Sequence, residues 1–196
     1  MRPTPTLSLL ALLALAGGCS SSDPEAAPAT EAAKAPESPV PVTETVEPYT
    51  CGAIPNLHIQ GGVMLSGQPT ADDLRAAAEL GVRTVLDVRT AGELKDFDEP
   101  ALVGELGMVY RNFGFRSPDQ LTDEVFDGVR ALLADPAAAP ILFHCGSANR
   151  VGAVWLAHRV LDEGVELEAA VEQAHAVGLR SAELEARALA YIASKR

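Results

Sequence analysis

Ten consecutive residues concentrate the chemistry of this chain: Ile141-Leu142-Phe143-His144-Cys145-Gly146-Ser147-Ala148-Asn149-Arg150. The apolar start, preceded by Pro140, reads as a short buried strand. Val151 to Leu161 is apolar nearly all round and reads as a buried helix. Cys145 therefore falls at the carboxyl end of a strand, and Arg150 opens the helix. A strand, a short loop and a helix aim several backbone N–H groups at one spot. The helix N-terminus adds partial positive charge there. Gly146 lets the backbone approach a ligand closely. Arg150 offers a planar fork of donors matched to a tetrahedral oxyanion. The field that holds an anion also favours the thiolate of Cys145, and a thiolate is a nucleophile. The expected site is an anion cradle of Gly146, Ser147, Ala148 and Asn149, with Cys145 as nucleophile and Arg150 as oxyanion binder. A buried free cysteine ahead of a capped helix is the plainer reading of Cys145 alone. It fits less well once His144, Gly146 and Arg150 stand beside it.

The elements that must position this loop are legible from patterning. Gly62 to Ser66 is a short apolar stretch compatible with a strand. Thr70 is placed to cap a helix whose first turn carries Asp72 and Asp73. Leu74, Ala77, Ala78 and Leu80 supply its apolar face, and Gly81 stops it. Val82 to Val88 reads as a buried strand and Met108 to Phe115 as another. Thr122 is placed to cap a helix with Val125, Val129, Leu132 and Leu133 at helical spacing, ended by Pro136. Two amphipathic helices close the chain, one on Leu167, Ala170, Val171 and Ala174, the other on Leu184, Ala188, Tyr191 and Ile192. Strands alternating with helices predict an α/β domain with a mostly parallel central sheet flanked by helices, running from Tyr49 to the end.

His144-Cys145 followed by Arg150 resembles the signature loop of the cysteine-dependent phosphatase and rhodanese group. Ser66-Gly67-Gln68-Pro69-Thr70, then Gly81 to Arg89, then Glu93 resemble the N-terminal half of the beta-lactamase-hydrolase-like, protein-phosphatase-like domain. The resemblance spans residues 54 to 160 or so. It implies a dual-specificity-phosphatase-like α/β fold, Cys145 as nucleophile, Arg150 as oxyanion binder, and a cradle lined by the amides of Gly146 to Arg150. One departure bears on the reaction. Protein tyrosine phosphatases place five residues between Cys and Arg, whereas Gly146, Ser147, Ala148 and Asn149 are four. Rhodanese sulfurtransferases have the shorter spacing, and a smaller loop suits a sulfur atom.

A phosphatase also needs a general acid. Asp119, within Arg116-Ser117-Pro118-Asp119, occupies the usual upstream position, and a turn or helix cap is the competing reading. Asp87 and Arg89, at the end of a strand, are expected on the same side of the sheet as Cys145, supporting the loop or forming a buried pair. His144 is expected to orient the loop or favour the thiolate. Ser147 and Asn149 are expected to hydrogen-bond the thiolate or hold the loop's shape. His58, His158 and His175 show no ligand spacing, so neither a metal nor another cofactor is expected. Trp155 belongs to the core. Cys51 has two readings, a lone thiol or a disulfide partner for Cys145.

The N-terminus carries Arg2, an apolar run from Leu7 to Ala16, and Leu15-Ala16-Gly17-Gly18-Cys19-Ser20. This resembles a bacterial lipoprotein signal with Cys19 as the lipidated residue; an ordinary cleaved signal is the alternative. Residues 20 to 48 carry Pro24, Pro28, Pro36, Pro39, Pro41 and Pro48 among Ala, Ser, Thr and Glu, and read as an extended tether. The expected location is the periplasmic side of a bacterial membrane. Acidic residues outnumber basic ones 27 to 15, with no basic patch, which argues against a nucleic-acid partner. The expected partners are a small anionic or phosphorylated substrate and a membrane reached through the lipid. Three functions follow: a phosphatase-like hydrolase, a sulfurtransferase carrying a persulfide on Cys145, or a non-catalytic anion- or partner-binding envelope protein.

Overall fold

The computed structural model describes residues 40–93 and 96–196. The expected signal, Cys19 and the tether as far as residue 39 lie outside the described residues. The strands are β1 (Glu47–Pro48), β2 (His58–Gln60), β3 (Val63–Ser66), β4 (Thr84–Asp87), β5 (Val109–Asn112) and β6 (Ile141–His144). The helices are α1 (Ala71–Glu79), α2 (Glu99–Glu105), α3 (Asp123–Leu133), α4 (Asn149–Leu161), α5 (Leu167–Val177) and α6 (Ala182–Lys195). Single 3₁₀ turns occupy Ala91–Glu93 and Pro118–Gln120.

The six strands form one sheet in the order β1-β2-β3-β6-β4-β5. The pairs β1–β2 and β2–β3 are antiparallel, and β3–β6, β6–β4 and β4–β5 are parallel. The expected α/β class with a mostly parallel sheet is what the chain adopts. β6 lies between two parallel neighbours and is buried along its whole length, which explains its unbroken apolar run. Side chains alternate across it. Ile141, Phe143 and Cys145 join a core shared with α3, α4, α5 and α6. Leu142 joins a second core beneath α1 and α2.

Local chemistry accounts for the helix boundaries. Thr70 accepts from the Asp73 amide, and the Asp73 carboxylate accepts from the Thr70 amide, a reciprocal cap for α1. Asp73 also accepts from the Ala53 amide at 2.6 Å. Burial pushes the Asp73 carboxyl up, but these hydrogen bonds outweigh it and hold it below its ordinary range. Thr122 stands at the cap position of α3, yet its side chain makes no cap hydrogen bond. Every residue from Val151 to Val160 of α4 is buried. Gly152 allows the end of α5 to press on α4: a Cβ there would lie 2.8 Å from the Ala174 carbonyl oxygen and from the Leu179 side chain.

Patterning did not reveal three elements, β1, β2 and α2. The first two are too short for a periodic signal. α2 spans only seven residues, and its clearest signal is the Asp98 cap that accepts from the Ala101 amide, with Pro100 in the first turn. The packed chain also reaches further back than Tyr49. Val40 is buried, and Glu47–Pro48 pairs with β2. No helix among the described residues is long and apolar enough to cross a membrane. A Cys51–Cys145 disulfide is ruled out by placement. Both thiols are free, and they belong to the two separate cores. Burial, then the nearby Asp73, pushes the Cys51 thiol up, so it resembles an inert core residue.

Candidate active site

The loop from Cys145 to Asn149 is held from three directions. On one side, the Cys145 amide donates to the Ser66 carbonyl at 3.3 Å, and the Gln68 amide donates to the Gly146 carbonyl at 3.4 Å. Gly67 bridges to Ser147. A Cβ on Gly67 would stand 2.9 Å from the Pro55 ring and 3.4 Å from the Gly146 carbonyl oxygen, so only glycine lets the end of β3 pass so close. Behind the loop, Ala148 adopts a left-handed conformation (φ 65°) and is fully buried. That turn lets four residues carry the chain from β6 into α4. On the other side, Asn149 Oδ1 accepts from the Arg180 amide at 2.7 Å and the Ser181 amide at 3.1 Å. The Arg180 guanidinium donates to Ser147 Oγ at 2.7 Å. Of the two expected roles for Ser147 and Asn149, their contacts fit the holding of shape.

The first turn of α4 has no side-chain cap hydrogen bond. α3 and α5 share that lack, but they start from exposed or half-buried residues, whereas α4 starts behind buried Ala148. Its orphan N–H groups sit at the loop that carries Cys145, and that is where an anion is best held. Cys145 is 1% exposed at the base of this loop. Gly146 is exposed at its mouth.

Arg150 is fixed by contacts that position its guanidinium. Nη1 donates to the Phe115 carbonyl at 2.7 Å, to the Val88 carbonyl at 3.3 Å and to Glu93 Oε1 at 2.9 Å; Nη2 donates to Glu93 Oε2 at 2.7 Å. Glu93 is anchored in turn by the Thr90 amide and hydroxyl. The hydrogen bonds from Arg150 hold the Glu93 carboxyl at about 2. Burial works against the charge on Arg150, but Glu93 and then Cys145 outweigh it and push the guanidinium up. A Cβ on Gly146 would sit 3.6 Å from Nη2.

A fully buried ionic cluster lies beneath the loop. Arg89 donates to both oxygens of Asp87 at 2.9 to 3.2 Å, and to Glu99 Oε2. Tyr110 donates to Asp87 Oδ2 at 2.8 Å. His144 Nε2 lies 2.8 Å from Glu99 Oε1, and Nδ1 lies 3.9 Å from Asp87 Oδ1. Burial opposes the charge on Arg89, but Asp87 and then Glu99 outweigh it and push the guanidinium up. Burial and then Asp87 push the Tyr110 hydroxyl up. The expectation for Asp87 and Arg89 needs one correction. They form the buried pair at the same end of the sheet as Cys145, but the Asp87 side chain lies on the opposite face, with α2. Strand alternation is the cause: Asp87 shares parity with Val85, which packs under α1 and α2. Asp87, Glu99 and His144 are also the residues whose ligand atoms converge enough to suit a metal ion. Arg89 already takes oxygens of both carboxylates, so the group functions as an ion-pair cluster.

Asp119 is exposed in its 3₁₀ turn, and among the described residues its side chain makes no hydrogen bond or ion pair. The loop that carries it leaves from Phe115, whose carbonyl Arg150 grips. The structure thus tethers the Asp119 loop to the site without placing Asp119 against Cys145. A surface cleft lined by Gln68, Pro69, Thr70, Ala71, Asp96 and Phe97 opens beside Gly146. His58, His158 and His175 lie apart, beside Asn56, Asp162 with Glu163, and Glu185 respectively. Patterning missed Glu99 and Arg180 altogether, and noted Glu93 only as a motif position. Acidic and basic residues are common on surfaces, and nothing in a single sequence marks those that fold back onto a distant loop.

No protein-family model matches the chain, and no curated protein matches it by sequence. Solved structures do resemble it. TpbA of P. aeruginosa superposes with a TM-score of 0.60 at 23% identity, covering 78% of this chain and 91% of that one. A DUF442 protein of Shewanella putrefaciens CN-32 gives 0.60 at 17% identity, covering 73% and 95%. The core catalytic domain of the PP-IP phosphatase SIW14 of S. cerevisiae gives 0.60 at 15% identity, covering 75% and 89%. The fold of this chain is that of protein-tyrosine-phosphatase-like proteins.

Proposed function

We propose that the chain is a cysteine-dependent phosphoester hydrolase. The observation that carries this reading is the loop itself. Cys145 stands at the end of β6, before the uncapped start of α4, with the Arg150 guanidinium oriented there by Glu93. The Cys145 thiolate attacks phosphorus, an S–P bond forms, and the P–O bond to the leaving alcohol breaks. Asp119, carried on the loop that leaves Phe115, protonates the departing oxygen. Water then attacks the thiophosphate, releasing inorganic phosphate and restoring the thiolate. The amides of the loop and Arg150 hold the equatorial oxygens throughout. The cleft beside Gly146 gives the leaving group a place to lie. TpbA has been seen in complex with phosphotyrosine, which makes an aryl phosphate the first substrate to try.

The four-residue spacing between Cys145 and Arg150 supports a second reading, a sulfurtransferase. There Cys145 attacks the outer sulfur of a thiosulfate, sulfite leaves, and the persulfide passes its sulfur to an acceptor such as cyanide. Assays with an aryl phosphate and with thiosulfate plus cyanide separate the two. Phosphate release lost in Cys145→Ser, and reduced in Arg150→Ala and Asp119→Asn, supports the hydrolase. Thiocyanate with a persulfide mass on Cys145 supports the transferase. Neither activity in protein with a reduced thiol supports the non-catalytic binder. The leader adds a proposal about place: lipidation of Cys19 anchors the domain outside the cytoplasm. Incorporation of labelled fatty acid, abolished in Cys19→Ser, tests it.

A further inference from the structure

We infer that the cleft beside Gly146 recognises a cationic side chain flanking an aryl phosphate, with Asp96 as the specificity-determining residue. The inference deepens the hydrolase reading and rests on the Cys145 loop as the phosphate site. The substrate class it names is a phosphotyrosyl segment with lysine or arginine next to the phosphorylated residue.

Gln68 joins the cleft to the loop. Its backbone amide donates to the Gly146 carbonyl at 3.4 Å, and its side-chain amide donates to Asp96 Oδ2 at 3.2 Å. A phosphate in the loop therefore has the Asp96 carboxylate one side chain away from the loop's mouth. The cleft holds about 490 Å³, a volume typical of small-molecule sites and enough for a phenyl ring and a neighbouring side chain. Pro69 and Phe97 supply flat apolar walls. Pro69 is buried, and the half-buried Phe97 ring packs on the second core while lining the cleft. Such faces suit an aromatic ring.

Charge decides what accompanies that ring. Of the described residues that line the cleft, Asp96 alone is charged. The aspartates around it have structural tasks: Asp72 pairs with Arg75, Asp73 caps α1 and Asp98 caps α2. Asp96 is exposed, caps no helix, and among the described residues has Gln68 as its hydrogen-bond partner and no cation. A carboxylate beside an anion cradle repels the phosphate and any further anion on the leaving group. It favours binding only when the leaving group brings a positive charge. The cations of the site stand elsewhere. Arg180 donates to Ser147 Oγ on the α5 side of the loop, and Arg150 is paired to Glu93. The mouth is thus cationic on the α5 side and anionic on the α1 side.

Binding and turnover are measured separately. Fluorescence anisotropy with the Cys145→Ser chain gives Kd for two labelled phosphotyrosyl peptides of equal length, one flanked by lysines and one by glutamates. The lysine peptide is expected to bind about tenfold tighter at low salt, with the ratio falling as salt rises. Adding Asp96→Asn should cut that ratio to about twofold, and Asp96→Lys should reverse it. Asp96 is exposed, so both variants should fold. The acidic chain as a whole also attracts cations. Glu79→Gln, an equal change of charge at the exposed far end of α1, is the control and should leave the ratio in place. Equal shifts in Asp96→Asn and Glu79→Gln overturn the inference, as does a ratio near one or the failure of both peptides to bind. A phosphoseryl peptide with the same lysines should bind more weakly, and equal binding overturns the aromatic part. A lysine peptide that binds as expected but is not hydrolysed by the wild-type chain overturns the hydrolase reading alone.

Discussion

The two ends of α4 are built in opposite ways. At its start, Ala148 offers no cap, Asn149 is turned outward to the amides of Arg180 and Ser181, and the first N–H groups have no side-chain partner. At its end, nearly every polar group is engaged. Arg130 binds Asp162 through two nitrogens, at 2.8 and 2.6 Å, and reaches Tyr191. Arg159 binds Glu163 and Gln173. The His158 ring lies between Asp162 and Glu163 at 3.0 Å from each, although burial pushes that imidazole down. Tyr191 stacks on Phe126 with ring centres 4.1 Å apart. One end ties its polar groups into the fold, and the other leaves its first N–H groups without side-chain partners. Stability and activity should therefore come apart along a single helix.

The largest effect should be at the start. Cys145→Ser should lower phosphate release by about a thousandfold or more, and Arg150→Ala by about a hundredfold or more, with melting temperature little changed in the serine variant. Steady-state kinetics beside calorimetry checks both. Equal loss of stability and activity in Cys145→Ser would break the comparison. At the end of the helix's first turn, Gly152→Ala should cost about 2 kcal/mol, because the new methyl meets backbone at Ala174 rather than a yielding side chain. Urea unfolding reads this. At the far end, Arg130→Met should cost about 1 kcal/mol and leave kcat untouched. A fall in kcat there would mean that the two ends are coupled. The smallest effect is in the acid range. The Glu93 carboxyl is held at about 2 against an ordinary 4.5, so its contribution to stability is complete above about pH 4.5 and fades as pH falls toward 2. Glu93→Gln should flatten that part of the stability curve.

The same contrast explains what a single sequence discloses. The loop was legible because its strand, cysteine, glycine and arginine fall within ten residues at a strand-to-helix junction. α1 was legible through Thr70, Asp73 and Gly81, whose local geometry matches their types. The partners of the loop were not. Glu93 and Glu99 reach it from the far side of β4 and from α2, and Arg180 from the end of α5. Those are tertiary contacts between residues that read locally as solvated charges. Asp87 and Arg89 were seen as a pair but assigned to the wrong face, since the face is set by the pairing with β6, where Asp87 stands opposite His144 rather than Cys145. Thr122 shows the converse, a residue of the right type in the right place whose side chain makes no cap hydrogen bond.

The strand order has a mechanical consequence. β1 pairs over only two residues, at the sheet edge nearest the N-terminus, and three pairings separate it from β6. A pulling force applied through the preceding chain would load buried Val40 and the Thr43 contacts with Gly61 and Ile59 first, then the β1–β2 pairs, one at a time, as in peeling a strip. The parallel ladders around β6 would carry little of it. The edge hairpin would thus yield as a fuse, while the strand that bears Cys145 kept its register.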